Sequence, residues 1–343
     1  MEKELGIYGA VIGDICGSIY EWNNRKTDTP EEIRLLNPKC RFTDDTVLTA
    51  AVAKAVKTDR DYQKALFEMA NLYANVGYGP SFSCWFKSKN PQPYNSFGNG
   101  SAMRVSPVGW YFDTEEEVLE EARRSAEPTH NHPEGIKGAQ AVALAIFLCR
   151  NGIEKQVLKE RIEADFGYNL SRKLADIRLT YDFDVSCQGS VPEAIIAFLE
   201  STSFASSIRN AISIGGDSDT IACIAGSIAE AYYRFNEGLP CTPMKEPKLG
   251  YEFRPATTIR QRIRSAFERL PGFFTGKPVM NGPCQQCFGP LINGIQFDLR
   301  HFARRVLSGQ RTILTALDMK DDIAWEWTPW YYGESDLLER SNI

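Results

Sequence analysis

The 343-residue chain is poor in positive charge, in histidine and in cysteines spaced as pairs. Its 39 Lys and Arg against 44 Asp and Glu leave a formal net charge of -5. That excludes the broad basic field needed to track a nucleic-acid backbone, so no sequence-specific nucleic-acid partner is expected. No apolar run approaches the roughly 20 residues that span a bilayer, and no membrane partner is expected either. Glu2 and Glu4 stand where a secretory leader carries basic residues, which makes the cytoplasm the expected compartment. The nine cysteines are scattered and odd in number, which speaks against a disulfide scaffold. Only Cys284 and Cys287 form a C-x-x-C, and one such pair alone is a weak pointer to zinc or redox work. No Walker pattern is present and no G-x-G-x-x-G follows a strand, so P-loop and Rossmann nucleotide sites are both set aside.

What the chain does have is helical periodicity. LGIYGAVIGDICGSIYE, FTDDTVLTAAVAKAVKT, YQKALFEMANLYANV, TEEEVLEEARRSAEPTH, PEGIKGAQAVALAIFLCRNG and EKQVLKERIEADFG all read as helices, with Thr43 or Asp44 capping the second. βαβ alternation and strand hairpins are lacking, so the expected fold is an all-α, compact multi-helix domain. Residues 1–240 are expected to form the catalytic core. Residues 241–343, less regular and ending in the aromatic WEWTPWYY, read as an extension packed on it. Gly6, Gly9, Gly13 and Gly17 in the first helix would each cost about 0.8–1 kcal/mol against alanine. Close helix packing or close ligand approach must compensate.

Four polar clusters interrupt the apolar pattern. GDICGSIYE carries Asp14 and Glu21, which share a helix face if the helix runs on. FTDDT carries Thr43, Asp44, Asp45 and Thr46; GNGSAMR carries Asn99, Gly100, Ser101, Met103 and Arg104; GGDSDT carries Asp217, Asp219 and Thr220. Each has an ordinary explanation. Thr43, Asp44 or Asp217 can simply cap a helix, and Glu21 can end one in solvent. Asp14 is harder to dismiss, since its neighbours are apolar or small and a buried carboxylate needs a partner or a cation. His130 and His132 in THNHPEG can be turn residues, metal ligands or rings stacked on a ligand.

Taken together the clusters imply more. FTDDT and GGDSDT both set carboxylates and a hydroxyl just ahead of a small-residue helix. If the two helix starts meet, four carboxylates crowd one volume, which is unfavourable without compensation. Hard divalent cations bound by oxygen relieve it. Two ions are expected, Mg²⁺ or Mn²⁺, roughly 3.5–4 Å apart. In GGDSDT the glycines let the backbone turn so that Asp217 and Asp219 point inward, and Ser218 is expected to point away.

The ordered set GDxxGSxYE, FTDDT, GNGxAMRxxP, THxHPEGxxGA and GGDSDTIAxxAGxIAEAYY, from about Leu5 to Tyr233, resembles the ADP-ribosylglycohydrolase family. That family includes ADP-ribosylarginine hydrolases, the dinitrogenase-reductase-activating glycohydrolase and ADP-ribosylserine hydrolases. The resemblance implies an all-α fold with a binuclear Mg²⁺ or Mn²⁺ cleft. Thr43, Asp44, Asp45, Asp217, Asp219 and Thr220 would be the metal set, and Asp45 and Glu21 the candidates for proton transfer. Glu21 matches the acidic residue near the catalytic centre of the serine-specific branch. Asn99, Gly100, Ser101, Met103, His130 and His132 would line the ADP-ribose cleft, with Asp14 in support. The implied activity is metal-dependent hydrolysis of the bond linking ADP-ribose to a protein side chain, first of all arginine, with free ADP-ribose as product. The alternatives are serine-linked or small-molecule derivatives of ADP-ribose, or a non-catalytic protein of the immunity type that binds ADP-ribose or a partner.

Overall fold

The computed structural model describes residues 5–35 and 39–236. The expected extension 241–343, with Cys284, Cys287 and the aromatic tail, lies outside the described residues. The helices are α1 (Tyr8–Gly17), α2 (Asp44–Lys57), α3 (Tyr62–Leu72), α4 (Pro80–Lys87), α5 (Gly100–Met103), α6 (Ser106–Tyr111), α7 (Glu115–Ala126), α8 (Pro133–Arg150), α9 (Lys155–Phe166), α10 (Leu174–Thr180), α11 (Cys187–Leu199), α12 (Phe204–Ser213) and α13 (Ser218–Asn236). Two 3₁₀ turns cover Glu21–Asn23 and Pro30–Glu32. Among the described residues the β pairing is an isolated bridge between Gly98 and Ser186. The fold is all-α, as the periodicity predicts, and among the described residues no helix is long and apolar enough to cross a membrane.

The centre of the molecule is α13, which packs against α1, α8, α11 and α12. Every residue from Ser218 to Ala231 is buried, so this stretch of the helix has no solvent face and can carry small side chains all round. The first-helix glycines explain how it is reached. Gly9, Gly13 and Gly17 recur every fourth residue and so line one face of α1. A Cβ on Gly9 would lie 2.7 Å from the Gly226 carbonyl carbon, one on Gly13 2.6 Å from the Cys223 nitrogen, and one on Gly17 2.5 Å from the Asp219 Cα. The two helices therefore run antiparallel with their backbones in contact. Helix packing, not ligand approach, is what those glycines serve. The geometry sets the C-terminal end of α1 directly on the first turn of α13.

One expectation changes here. The periodicity carries α1 through Glu21, but the helix ends at Gly17, where α13 closes over it. The amide of Ser18 reaches Asp14 O at 2.9 Å, and the amide of Tyr20 reaches Gly17 O at 2.8 Å, tightening the chain. Glu21 then opens its own 3₁₀ turn, so Asp14 and Glu21 do not share a helix face.

Candidate active site

The two acidic helix starts meet. Thr43 caps α2, with its hydroxyl accepting from the Asp45 amide. Asp14 comes in from α1 beneath this start. Its Oδ2 accepts from the amides of Thr43 at 2.9 Å and Thr46 at 3.1 Å, and from the Thr46 hydroxyl. Its Oδ1 accepts from the Thr43 hydroxyl at 2.7 Å. A wholly buried carboxylate thus finds its partners in the free amides of a helix N-terminus.

Across the cleft, Gly215 and Gly216 adopt φ +83° and +67°, the left-handed region that other residues enter at a cost. The amide of Gly216 is held by Asn24 Oδ1 at 2.8 Å. This turn brings Asp217 and Asp219 together. Asp217 does not spend its side chain on capping: Oδ2 accepts from Asn99 Nδ2 at 2.6 Å, and Asn99 also donates to Ser190 Oγ at 3.0 Å. The Asp219 Oδ1 accepts from the Thr220 amide at 3.0 Å. Ser218, as expected, takes no part; its hydroxyl donates back to Gly216 O at 3.1 Å. Thr220 closes the gap between the two starts, donating to Asp45 Oδ2 at 3.3 Å.

Two groups of three carboxylates result, each with oxygens within 4.8 Å of one another: Asp14, Asp45 and Asp219, and Glu21, Asp217 and Asp219. Asp219 belongs to both. Glu21 is the half-buried member, the other carboxylates of both groups being buried. Asp44 lies outside both groups, on the side of Gly77, whose Cβ would sit 3.4 Å from Asp44 Oδ1. Of the cleft-lining candidates, Asn99 faces the carboxylates directly. The Met103 sulfur lies 3.8 Å from the Thr220 hydroxyl oxygen. The hydroxyl of Ser101 is buried and donates to Gly135 O at 2.7 Å, tying α5 to α8. Gly100 leaves room for His130, whose Nε2 would be 3.1 Å from a Cβ there. His132 caps α8, its Nδ1 accepting from the Glu134 amide at 3.1 Å, and packs edge-on to the exposed Phe97. Thr46, a member of the FTDDT cluster, holds this arrangement together with Ser190 and Asn24, and those two do not stand out in the sequence.

The residues fit divalent cations on an observation independent of their number. Asp45 is buried, yet its Oδ1 has no hydrogen-bond partner. An unmet carboxylate oxygen among other carboxylates is costly unless a cation or a proton meets it. The acid-base balance agrees. Burial first, and neighbouring carboxylates after it, raise Asp44, Asp45 and Asp219 well above the usual range. Asp14 is raised by burial despite its four hydrogen bonds. Burial lifts Asp217 to about 6, and burial with Asp219 lifts Glu21 to about 8. The metal-free folded protein therefore holds more protons than the unfolded chain between about pH 4 and pH 8. Its stability is full below the unfolded carboxylate range and falls as pH rises through the folded values. The chelated protein should lose melting temperature steadily from pH 5 to pH 8. Added Mg²⁺ or Mn²⁺, which competes with those protons, should raise it more at pH 8 than at pH 5. Thermal melts at both pH values, with and without metal, check this; a metal effect that is equal or larger at pH 5 contradicts it.

The comparisons with known proteins point to the same chemistry. The sequence profile of ADP-ribosylglycohydrolase matches residues 6–270, running past the expected core boundary at residue 240. The chain is 28% identical to ADP-ribosylhydrolase ARH3 of Mus musculus over 339 residues, covering 76% of this chain and 90% of that protein. It is 29% identical to ADP-ribosylhydrolase ARH3 of Homo sapiens over 308 residues, covering 67% and 84%. A solved structure described as an ADP-ribosylglycohydrolase-related protein complex shares the fold, with TM-score 0.53, 24% identity and coverage of 66% of this chain and 86% of that one. A profile that spans most of the chain, on a fold that gathers its acidic helix starts around one cleft, places this protein in the ADP-ribosylglycohydrolase family.

Proposed function

We propose that the protein hydrolyses the glycosidic bond between ADP-ribose and a protein side chain, using two divalent cations, Mg²⁺ or Mn²⁺. The observation that carries this reading is the pair of carboxylate triads sharing Asp219, one of them holding the unmet Oδ1 of Asp45. Asp45, Asp217 and Asp219 would hold the cations, with Thr43, Asp44 and Thr220 completing the set. Asp14 would support from behind, since its oxygens already accept four hydrogen bonds. Cations bound there supply positive charge that orients substrate oxygens and acidifies water.

The chain's own residues do the rest. In the net reaction the bond from the anomeric carbon to the acceptor breaks, water oxygen bonds to that carbon, and a proton passes to the acceptor. Glu21 and Asp45 are the carboxylates placed for that proton traffic. Glu21 is half-buried, the member of its group that an arriving leaving group would meet from solvent. Asp45 is buried, and its Oδ2 accepts from the Thr220 hydroxyl at 3.3 Å. The rigid helix starts hold these groups in place before substrate binds. Asn99 to Met103, His130 and His132 would line the ADP-ribose side.

Arginine is the first acceptor to test. A serine acceptor is the second reading, favoured by the place of Glu21 beside Asp217 and Asp219, because an alkoxide leaving group needs a proton delivered to it. Peptides carrying ADP-ribose on arginine or on serine should be compared directly. One of them should release ADP-ribose, EDTA should abolish the release, and Mg²⁺ or Mn²⁺ should restore it. No release from either peptide at any metal concentration overturns the proposal.

A further inference from the structure

Arg104 is wholly buried, yet no carboxylate compensates it. Its Nη2 donates to Ser125 O at 3.0 Å and to Thr129 Oγ1 at 2.9 Å, while Nε and Nη1 have no partner. A buried, unpaired guanidinium is expensive, and an apolar side chain would fill the same volume more cheaply. Its neighbours show what it does. The Thr129 hydroxyl also lies 2.7 Å from His130 Nδ1, and Thr129 and His130 are both buried.

The direction of each hydrogen bond follows from the donor inventory. An arginine only donates, so Thr129 Oγ1 accepts from it. The threonine hydrogen is then free to point at one acceptor, and His130 Nδ1 is the one within reach. The reverse arrangement, with Nδ1–H donating to Thr129, would strand a buried hydroxyl hydrogen. Nδ1 therefore carries no proton. Burial, and after it the Arg104 charge, hold His130 well below the usual histidine range, so the ring is neutral. Its single hydrogen must sit on Nε2. That nitrogen faces the two glycines of GNG: Cβ atoms there would lie 3.5 Å away at Gly98 and 3.1 Å away at Gly100. Neither glycine brings a side chain over the donor, so that side of the ring is left to another partner.

We infer that Arg104, acting through Thr129, is a positioning residue that fixes His130 as the Nε2–H tautomer, so that its ring donates a hydrogen bond to an acceptor atom of the bound ADP-ribosyl ligand. The ligand half of this rests on the proposed function; the tautomer half does not. Nitrogen-15 NMR of the full chain labelled at histidine reads the tautomer directly, with His130→Gln identifying the signal among the three histidines. Wild type, without metal or ligand, should show a protonated Nε2 and a bare Nδ1. Thr129→Val should release the ring into a mixture of tautomers and weaken ADP-ribose binding about tenfold, the scale of one lost hydrogen bond. Thr129→Ser should restore both. A protonated Nδ1 in wild type overturns the inference without any variant, as does a ring unchanged by Thr129→Val. Saturating ADP-ribose that binds but leaves the Nε2 signal unmoved overturns the ligand half. Failure of wild type to bind ADP-ribose counts against the proposed function, and the same spectra still decide the tautomer.

Discussion

Asp219→Asn is expected to lower ADP-ribose release by more than about 100-fold and, in the metal-free protein at pH 8, to raise the melting temperature. The first effect follows from position. Asp219 is the one carboxylate common to both triads. Its loss degrades two cation sites at once, and so exceeds the roughly 10–100-fold that losing a supporting partner costs. The second effect has the opposite sign because the folded, metal-free site is a crowd of like charges. Asp219 raises Glu21, Asp44 and Asp45 through its charge. Replacing it by a neutral amide of the same shape relieves all three. A gain of about 1 kcal/mol corresponds to roughly 1–2 °C in a chain of 343 residues. Stability held back at a site for the sake of function is a general pattern. Turnover and chelated melting curves of wild type and variant test both halves. Activity within tenfold of wild type, or a variant that melts lower without metal, would remove Asp219 from the centre of the site.

Much of this was legible in the sequence because it depends on short-range rules. Thr43 reads as a cap from its place before an acidic first turn, and it is one. The all-α class follows from periodicity alone. The pairing of FTDDT with GGDSDT was readable because each has the same carboxylate-then-small-helix design, and the fold joins them through Thr220 and Asp45. Other features had no local trace. Asn24 holds the Gly216 amide from 192 residues away, and an asparagine in a polar loop carries no mark of that. The break after Gly17 comes from α13 closing over the helix, so an unbroken apolar pattern conceals it. Asp14 looks in sequence like a carboxylate in want of a cation. Its four hydrogen bonds from Thr43 and Thr46 come into view only when α2 is set on α1.

Gly13→Ala should destabilise the protein by about 3 kcal/mol, at the upper end of the usual range for overpacking. Alanine is the better helix former by about 0.8–1 kcal/mol, so local propensity predicts a gain. The contact decides otherwise. The new Cβ would fall on the Ala222 carbonyl and 2.6 Å from the Cys223 nitrogen, both backbone atoms of a buried helix with no rotamer to yield. Relief requires α1 to move off α13. That movement carries the site with it, since Asp14 holds the start of α2 while Asp219 rides on the start of α13. Separating the helices pulls the Asp14, Asp45 and Asp219 oxygens apart, so the rise in melting temperature on adding Mg²⁺ or Mn²⁺ should shrink along with the stability. Gly79→Ala is the matched control: a Cβ there meets nothing within 4 Å, and its φ of -57° suits any residue. It should leave the melting temperature within about 0.5 kcal/mol of wild type in equivalent terms. If Gly13→Ala melts like Gly79→Ala with its metal response intact, the glycine seam does not set the spacing of the carboxylates. If it melts far lower and also loses that response, one helix contact accounts for both the stability of the core and the reach of the site.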